Sequence, residues 1–119
     1  MSQFVGDLVV KLTLDSADSL WELVEPLSFQ SDFAVQTFTA PAGTKTDFMS
    51  VPRIAGVYDV LGNRCIRAGT VHDWLYQSHV VDRETADNIL REMCLVDGMN
   101  QYEADGCYLA VRLGGESHW

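Results

Sequence analysis

From Arg83 to Asp97, in the stretch RETADNILREMCLVD, the apolar residues Ala86, Ile89, Leu90, Met93 and Cys94 recur at spacings of three and four. A 3.6-residue period puts all of them on one side, so this stretch buries its apolar side as an amphipathic helix. Asp82 stands where an N-cap belongs, and Gly98 stands where a C′ residue closes a helix. Upstream, residues 68–78 (AGTVHDWLYQS) place Ala68, Val71, Trp74, Leu75 and Ser78 on one face. Only a few residues separate the two segments, which predicts an antiparallel helical hairpin with its turn near 79–82. A third helix, roughly residues 101–113, offers Ala104, Cys107, Tyr108 and Val111 and stops at Gly114–Gly115.

The first part of the chain has a different period. FVGDLVVKLTL is β-branched, with Val9, Leu12 and Leu14 as expected inward positions. FAVQTFTAP alternates: Phe33, Val35, Thr37 and Thr39 face one way, and Ala34, Gln36, Phe38 and Ala40 the other. Between them, Asp18 or Ser19 can cap a short helical turn, Leu27–Gln30 is expected to be extended, and Pro26 keeps both pieces short. APAGTKTDFMSVPRIAGVYDVLGNR follows, punctuated by Pro41, Gly43, Pro52, Gly56 and Gly62 and without sustained periodicity. The expected fold is α+β in one domain over 1–119: a small antiparallel sheet in a strand-rich 1–42, a loop over 43–67, and a helical 68–119 holding the hairpin and a C-terminal helix.

At 119 residues with 47% hydrophobic and 21% charged residues, the composition is that of a soluble globular protein with one modest core. The net charge of −9 repels phosphate backbones and argues against nucleic acid as a partner. It suits a cation site, a basic protein partner, or a DNA-mimicking surface if the acid were contiguous. No apolar run reaches the length of a membrane span. The opening MSQFVGDLVV lacks the basic start and long apolar region of a signal peptide, so residence in the cytoplasm of the producing cell is expected. Cys65, Cys94 and Cys107 form no C-x-x-C pair, and Cys94 and Cys107 read as buried thiols.

The residues that can carry chemistry gather around VHDWLY, Val71 to Tyr76. His72 and Tyr76 lie one turn apart on the same edge of the first helix. Arg83 and Asp87 lie one turn apart at the border of the second helix's buried face, and an antiparallel hairpin lets His72 meet Asp87. A carboxylate that accepts one ring N–H fixes the tautomer and leaves the other nitrogen to take a proton. Tyr76 would support Asp87 by a hydrogen bond, while Asp73, turned about 100° from His72, would be free for a cation. The same residues equally suit a satisfied polar rim between two helices, with Arg83 and Asp87 an ordinary i,i+4 pair. In TKTDFMSVPR, Asp47 either builds its own turn or joins Asp73 as a ligand for a divalent cation, calcium or zinc. Ser50 is a candidate nucleophile for His72, although the sequence has no G-x-S-x-G turn to expose it. His79 and His118 are expected to be solvated, and Trp21, Trp74 and Trp119 to fill core edges.

Taken in order, PAGTKTDFMSVPR, AGTVHDWLY, DRETADNILREM and YLAVRLGGESHW resemble short bacteriophage and prophage proteins catalogued as a domain of unknown function. The shared pattern is a T-D-x-x-S-x-P loop, an H-D-W-L-Y helix, an R-x-x-A-D helix and a terminal A-V-R-x-G, over about residues 41–119; Met49 departs from it. The resemblance implies a phage product whose recurring polar positions are Thr46, Asp47, Ser50, His72, Asp73, Tyr76, Arg83, Asp87 and Arg112, with Arg53 beside them in the loop. A more local similarity joins HDWLY and RETAD to the histidine helix and later aspartate of secreted phospholipases A2. It implies His72 as base, Asp73 as calcium ligand and Asp87 as orienter, although the flanking cysteines and a glycine-rich calcium loop are absent. Two functions are therefore expected of these residues. One is a His/Asp hydrolase acting on the host envelope or during phage assembly, with His72, Asp87, Tyr76 and Ser50 catalytic. The other is a non-enzymatic head or tail component, made in the host cytoplasm, incorporated into the virion and bound to other phage proteins.

Overall fold

The computed structural model describes residues 1–13, 21–46 and 66–119. Among these residues, six short strands come first: β1 (Gln3–Val5), β2 (Val10–Leu12), β3 (Trp21–Leu23), β4 (Leu27–Ser31), β5 (Gln36–Ala40) and β6 (Lys45–Thr46). Among the described residues, three helices come after them: α1 (Ile66–Ser78), α2 (Arg83–Val96) and α3 (Gln101–Gly114), then a 3-10 turn over Glu116–His118. The class is α+β. The strands make two antiparallel three-stranded sheets, ordered β1-β4-β5 and β2-β3-β6, where one sheet was expected.

The alternation seen in the sequence sets the faces of the first sheet. Leu27 pairs with Ala40 and Phe29 with Phe38, and all four side chains are buried against the helices. The intervening Ser28 and Thr39 share a 2.7 Å hydroxyl contact on the outer face. The helices close over the inner face with the predicted residues: Val71 and Leu75 from α1, Ala86, Ile89, Leu90, Met93 and Cys94 from α2, and Ala104, Cys107 and Val111 from α3. Each large apolar side chain buried this way contributes about 1.5–3 kcal/mol. Cys94 and Cys107 are buried thiols not joined in a disulfide, whereas Cys65 lies outside the described residues.

Helix ends follow their chemistry with one exception. Gly98 takes φ +93 after α2, as a C′ glycine should. Asn100 and Glu103 form a full capping box on α3, each side chain bonding the other's backbone N–H. Asp82 has the extended backbone of an N-cap, but its side chain caps nothing.

Two strand expectations fail for identifiable reasons. Phe33 to Val35 belong to a turn, and β5 begins only at Gln36. Glu92 of α2 decides this. Its Oε2 accepts from the amides of Asp32 (2.9 Å) and Phe33 (3.1 Å) and from Ser2 Oγ (2.5 Å), while Oε1 accepts from Ser31 Oγ (2.5 Å). Those amides are satisfied by a helix carboxylate, so no ladder is needed there. Val35 closes the turn at φ +52 with 88% of its surface exposed. Leu12, expected inward, is exposed at the end of an edge strand whose Val10 packs on the core instead. Leu14, Asp18 and Ser19 lie outside the described residues.

Candidate functional site

Asp87 is the centre of the site. It projects from the first turns of α2, fully buried, into the angle between α1 and α3. His72 and Tyr76, one turn apart on α1, both reach its Oδ1: Nε2 of His72 at 2.9 Å and the Tyr76 hydroxyl at 2.6 Å. Arg112 of α3 donates from Nη1 to Oδ2 at 2.9 Å. Arg83 stands 3.7 Å from the same oxygen and donates to the carbonyls of Val111 (3.1 Å) and Arg112 (3.5 Å) at the end of α3. One carboxylate thus ties together three helices.

The electrostatics follow from these contacts. Burial alone pushes the Asp87 carboxyl upward more than any other single influence. Hydrogen bonds from His72, Tyr76 and Arg112, with the His72 charge, outweigh it and leave the group below its ordinary value. The Tyr76 phenol moves well above its usual value because it is buried and donates to an anion. Arg112 is likewise raised by its bond to Asp87.

His72 is 2% exposed, and its Nδ1 has no hydrogen-bond partner among the described residues. An ionised Asp87 can only accept, so Nε2 must carry the proton of the neutral ring. Nδ1 then bears an unpaired lone pair. In the neutral ring, Nε2 donates to Asp87 and Nδ1 is the bare nitrogen.

An aromatic row extends from the ring toward the end of α3. His72 lies against Tyr76 (centroids 4.3 Å), Trp119 meets Tyr76 edge-on (5.1 Å), and His79 stacks on Trp119 (3.8 Å, 5° between planes). His79, though exposed as expected, is therefore packed on one face, and it takes φ +54 at the end of α1. Gly115 closes the row, because a Cβ there would stand 2.6 Å from the Tyr76 hydroxyl. The spacing of His72, Tyr76 and His79 sets them along one side of α1 and its end, but nothing in the linear pattern brings Trp119 from the C-terminus among them.

Asp73 turns away from His72, as its position one residue on requires. Its Oδ2 accepts from Thr46 Oγ1 at 2.6 Å, which pins the end of β6 to α1. Asp47, Ser50 and Arg53 lie outside the described residues. Of the two expected cation ligands, the structure therefore describes only Asp73. Among the described residues no three His, Cys, Asp or Glu side chains converge on a metal position. A hollow of about 430 Å³ beside the β4–β5 turn, lined by residues such as Ser31, Asp32 and Thr37, contains none of the cluster. No described helix is long and apolar enough to cross a membrane.

No curated protein matches the chain significantly. No solved structure does so either. A sequence profile of the family described as "Protein of unknown function (DUF1353)" matches residues 21–111. That span runs from β3 nearly to the end of α3 and carries Thr46, His72, Asp73, Tyr76, Arg83 and Asp87. Most of the chain, including the carboxylate that joins its helices, therefore belongs to this family of unknown function.

Proposed function

We propose that the chain is a small phage-encoded hydrolase in which Nδ1 of His72 is the general base. The observation that carries this is the buried, unpartnered Nδ1. Leaving such an acceptor unmade costs about 1–3 kcal/mol, which a purely structural junction has no reason to retain. Asp87 orients the ring through Nε2–H and balances the positive charge when Nδ1 takes a proton from the attacking water. Tyr76 and Arg112 keep that carboxylate ionised and fixed, and are positioning residues. The similarity of HDWLY and RETAD to phospholipases A2 supports an ester or related acyl bond of the host envelope as the substrate class. Ser50 is an alternative proton donor to His72 in this scheme. The described residues do not by themselves make a calcium or zinc site, and no step here passes through a cation.

A role in virion assembly is the alternative, and one observation favours it. Asp87 is wholly buried and supplied with donors from α1 and α3, as a carboxylate that only cements three helices would be. His72→Gln separates the two. The glutamine amide can still donate to Asp87 from the place of Nε2 but has no counterpart of Nδ1. The hydrolase predicts turnover of phospholipid or peptidoglycan by the native protein and a loss of about 10²–10⁴-fold in His72→Gln, with melting little changed. Turnover retained in His72→Gln, or none by the native protein on either material, overturns the hydrolase and leaves the assembly role.

A further inference from the structure

On the outer side of α3, away from the core, Tyr102 is 87% exposed, Leu109 60% and Leu113 85%. Gly106 lies between them, and a Cβ built there meets nothing within 4 Å. Glycine is the poorest helix former after proline, and nothing among the described residues requires one here. The four positions are spaced four, three and four residues apart, the spacing of a coiled-coil seam with Tyr102 and Leu109 at d and Gly106 and Leu113 at a. Asp105 and Arg112, seven apart, both occupy the g flank of that seam and carry opposite charges; Asp105 accepts from Arg91 Nε at 2.5 Å through Oδ1, and its side chain is 44% exposed.

We infer that this face of α3 pairs with the same face of a second copy, antiparallel about a two-fold axis near residues 107–108. In that arrangement each a position meets a d position: Tyr102 lies across from the partner's Leu113, and Gly106 across from the partner's Leu109. The leucine fills the space that glycine leaves, and the helices approach closely. The g flanks also face each other, which brings Asp105 toward the partner's Arg112 on both sides of the axis. Arg112 gives Nη1 to Asp87 and has further N–H donors for this contact. A parallel pair lacks these matches. It sets glycine against glycine, and the g flank meets Ala110 at e, where no charge answers. The helix is thus self-complementary in one orientation only, as an isologous interface demands. The seam buries on the order of 400 Å² per copy, which falls short of tight complexes and implies a weak dimer, roughly micromolar or weaker.

Sedimentation velocity over about 5 to 500 µM tests this. The mass should rise from 13.3 kDa toward twice that value. Leu109→Glu, an exposed change, should remain a monomer throughout with native melting; Leu113→Glu is the second variant should the first fold poorly. Gly106→Ala should melt higher at low concentration, because it improves the helix, yet raise the dimer dissociation constant about tenfold or more. A Gly106→Cys/Leu109→Cys double variant should cross-link between copies under oxidised glutathione, while Leu109→Cys alone should not. A monomer at every concentration overturns the inference, and this is also what a face reserved for a different protein would give. Self-association indifferent to Leu109→Glu and Gly106→Ala, or cross-linking by Leu109→Cys alone, overturns it as well.

Discussion

Replacing Asp87 with asparagine removes one charge and turns one acceptor oxygen into a donor. Two placements of the amide exist. If its nitrogen takes the place of Oδ2, it faces Arg112 Nη1 at 2.9 Å, donor against donor. If it takes the place of Oδ1, His72 can accept from it only by moving its proton to Nδ1, a buried atom without a partner, and the donation from Tyr76 is lost. Removing one partner of a buried ion pair costs about 3–5 kcal/mol. The partial exposure of Arg112 lets water recover some of this, so a loss near the lower end, about 3 kcal/mol, is expected. For a chain of this length that is a fall in Tm of about 12 °C. Urea unfolding at pH 7, followed by tryptophan fluorescence, gives the number directly. Acid provides the sign. The folded Asp87 carboxyl lies below its unfolded value, so its stabilisation is complete above about pH 4 and is lost as pH falls through the folded value. Asparagine does not titrate, so the gap between native and variant proteins must narrow in acid. A loss under about 1 kcal/mol at pH 7, or a gap that holds or widens below pH 3, would refute the account of Asp87 as an ionised keystone.

Two other substitutions test the surroundings. Val35 holds a β-branched side chain at φ +52 with almost no packing to lose, so Val35→Gly should raise stability by about 1 kcal/mol, or Tm by about 4 °C; an unchanged or lower Tm would mean the turn is not strained. Gly115→Ala would set a Cβ 2.4 Å from the Val111 carbonyl and 2.6 Å from the Tyr76 hydroxyl, which should cost about 1–3 kcal/mol and alter Trp119 emission as Tyr76 shifts; native melting and emission would show that the contact yields freely.

Where burial repeats with a local period, the sequence is enough to locate it. Ala86, Ile89, Leu90, Met93 and Cys94 all enter the core because a helix offers them no other common side. Phe38 and Ala40 do so because a strand alternates. The Phe33–Val35 error has a distant cause: Glu92, some sixty residues on, supplies the acceptors that let the turn amides leave the ladder. Leu12 is misplaced because alternation gives the period of a strand and not which face the rest of the molecule covers. At the site, the one-turn spacings of His72 with Tyr76 and of Arg83 with Asp87 are local and legible. Arg112 is joined to them only through family resemblance, since no periodicity links α3 to an aspartate on α2. The pairing with Asp87 left one ring nitrogen for a proton, but that this nitrogen is Nδ1, buried and without a partner among the described residues, depends on neighbours the linear pattern does not place.

That distribution bears on how the cluster should be probed. Asp87 receives donors from α1 and α3 while standing on α2, so the residues that would organise a reaction also hold the helices together. Changing Asp87, Tyr76 or Arg112 must therefore lower stability whether or not the protein turns over a substrate, and a loss of function in such variants separates nothing. Nδ1 differs from the atoms bonded to Asp87 because it makes no hydrogen bond among the described residues. Its removal with Nε2 mimicked is the one change whose structural effect should be small and whose chemical effect, in a hydrolase, should be large. The fold has concentrated its cohesion on one carboxylate and left the buried Nδ1 outside that task, which makes it the atom on which function can be tested apart from stability.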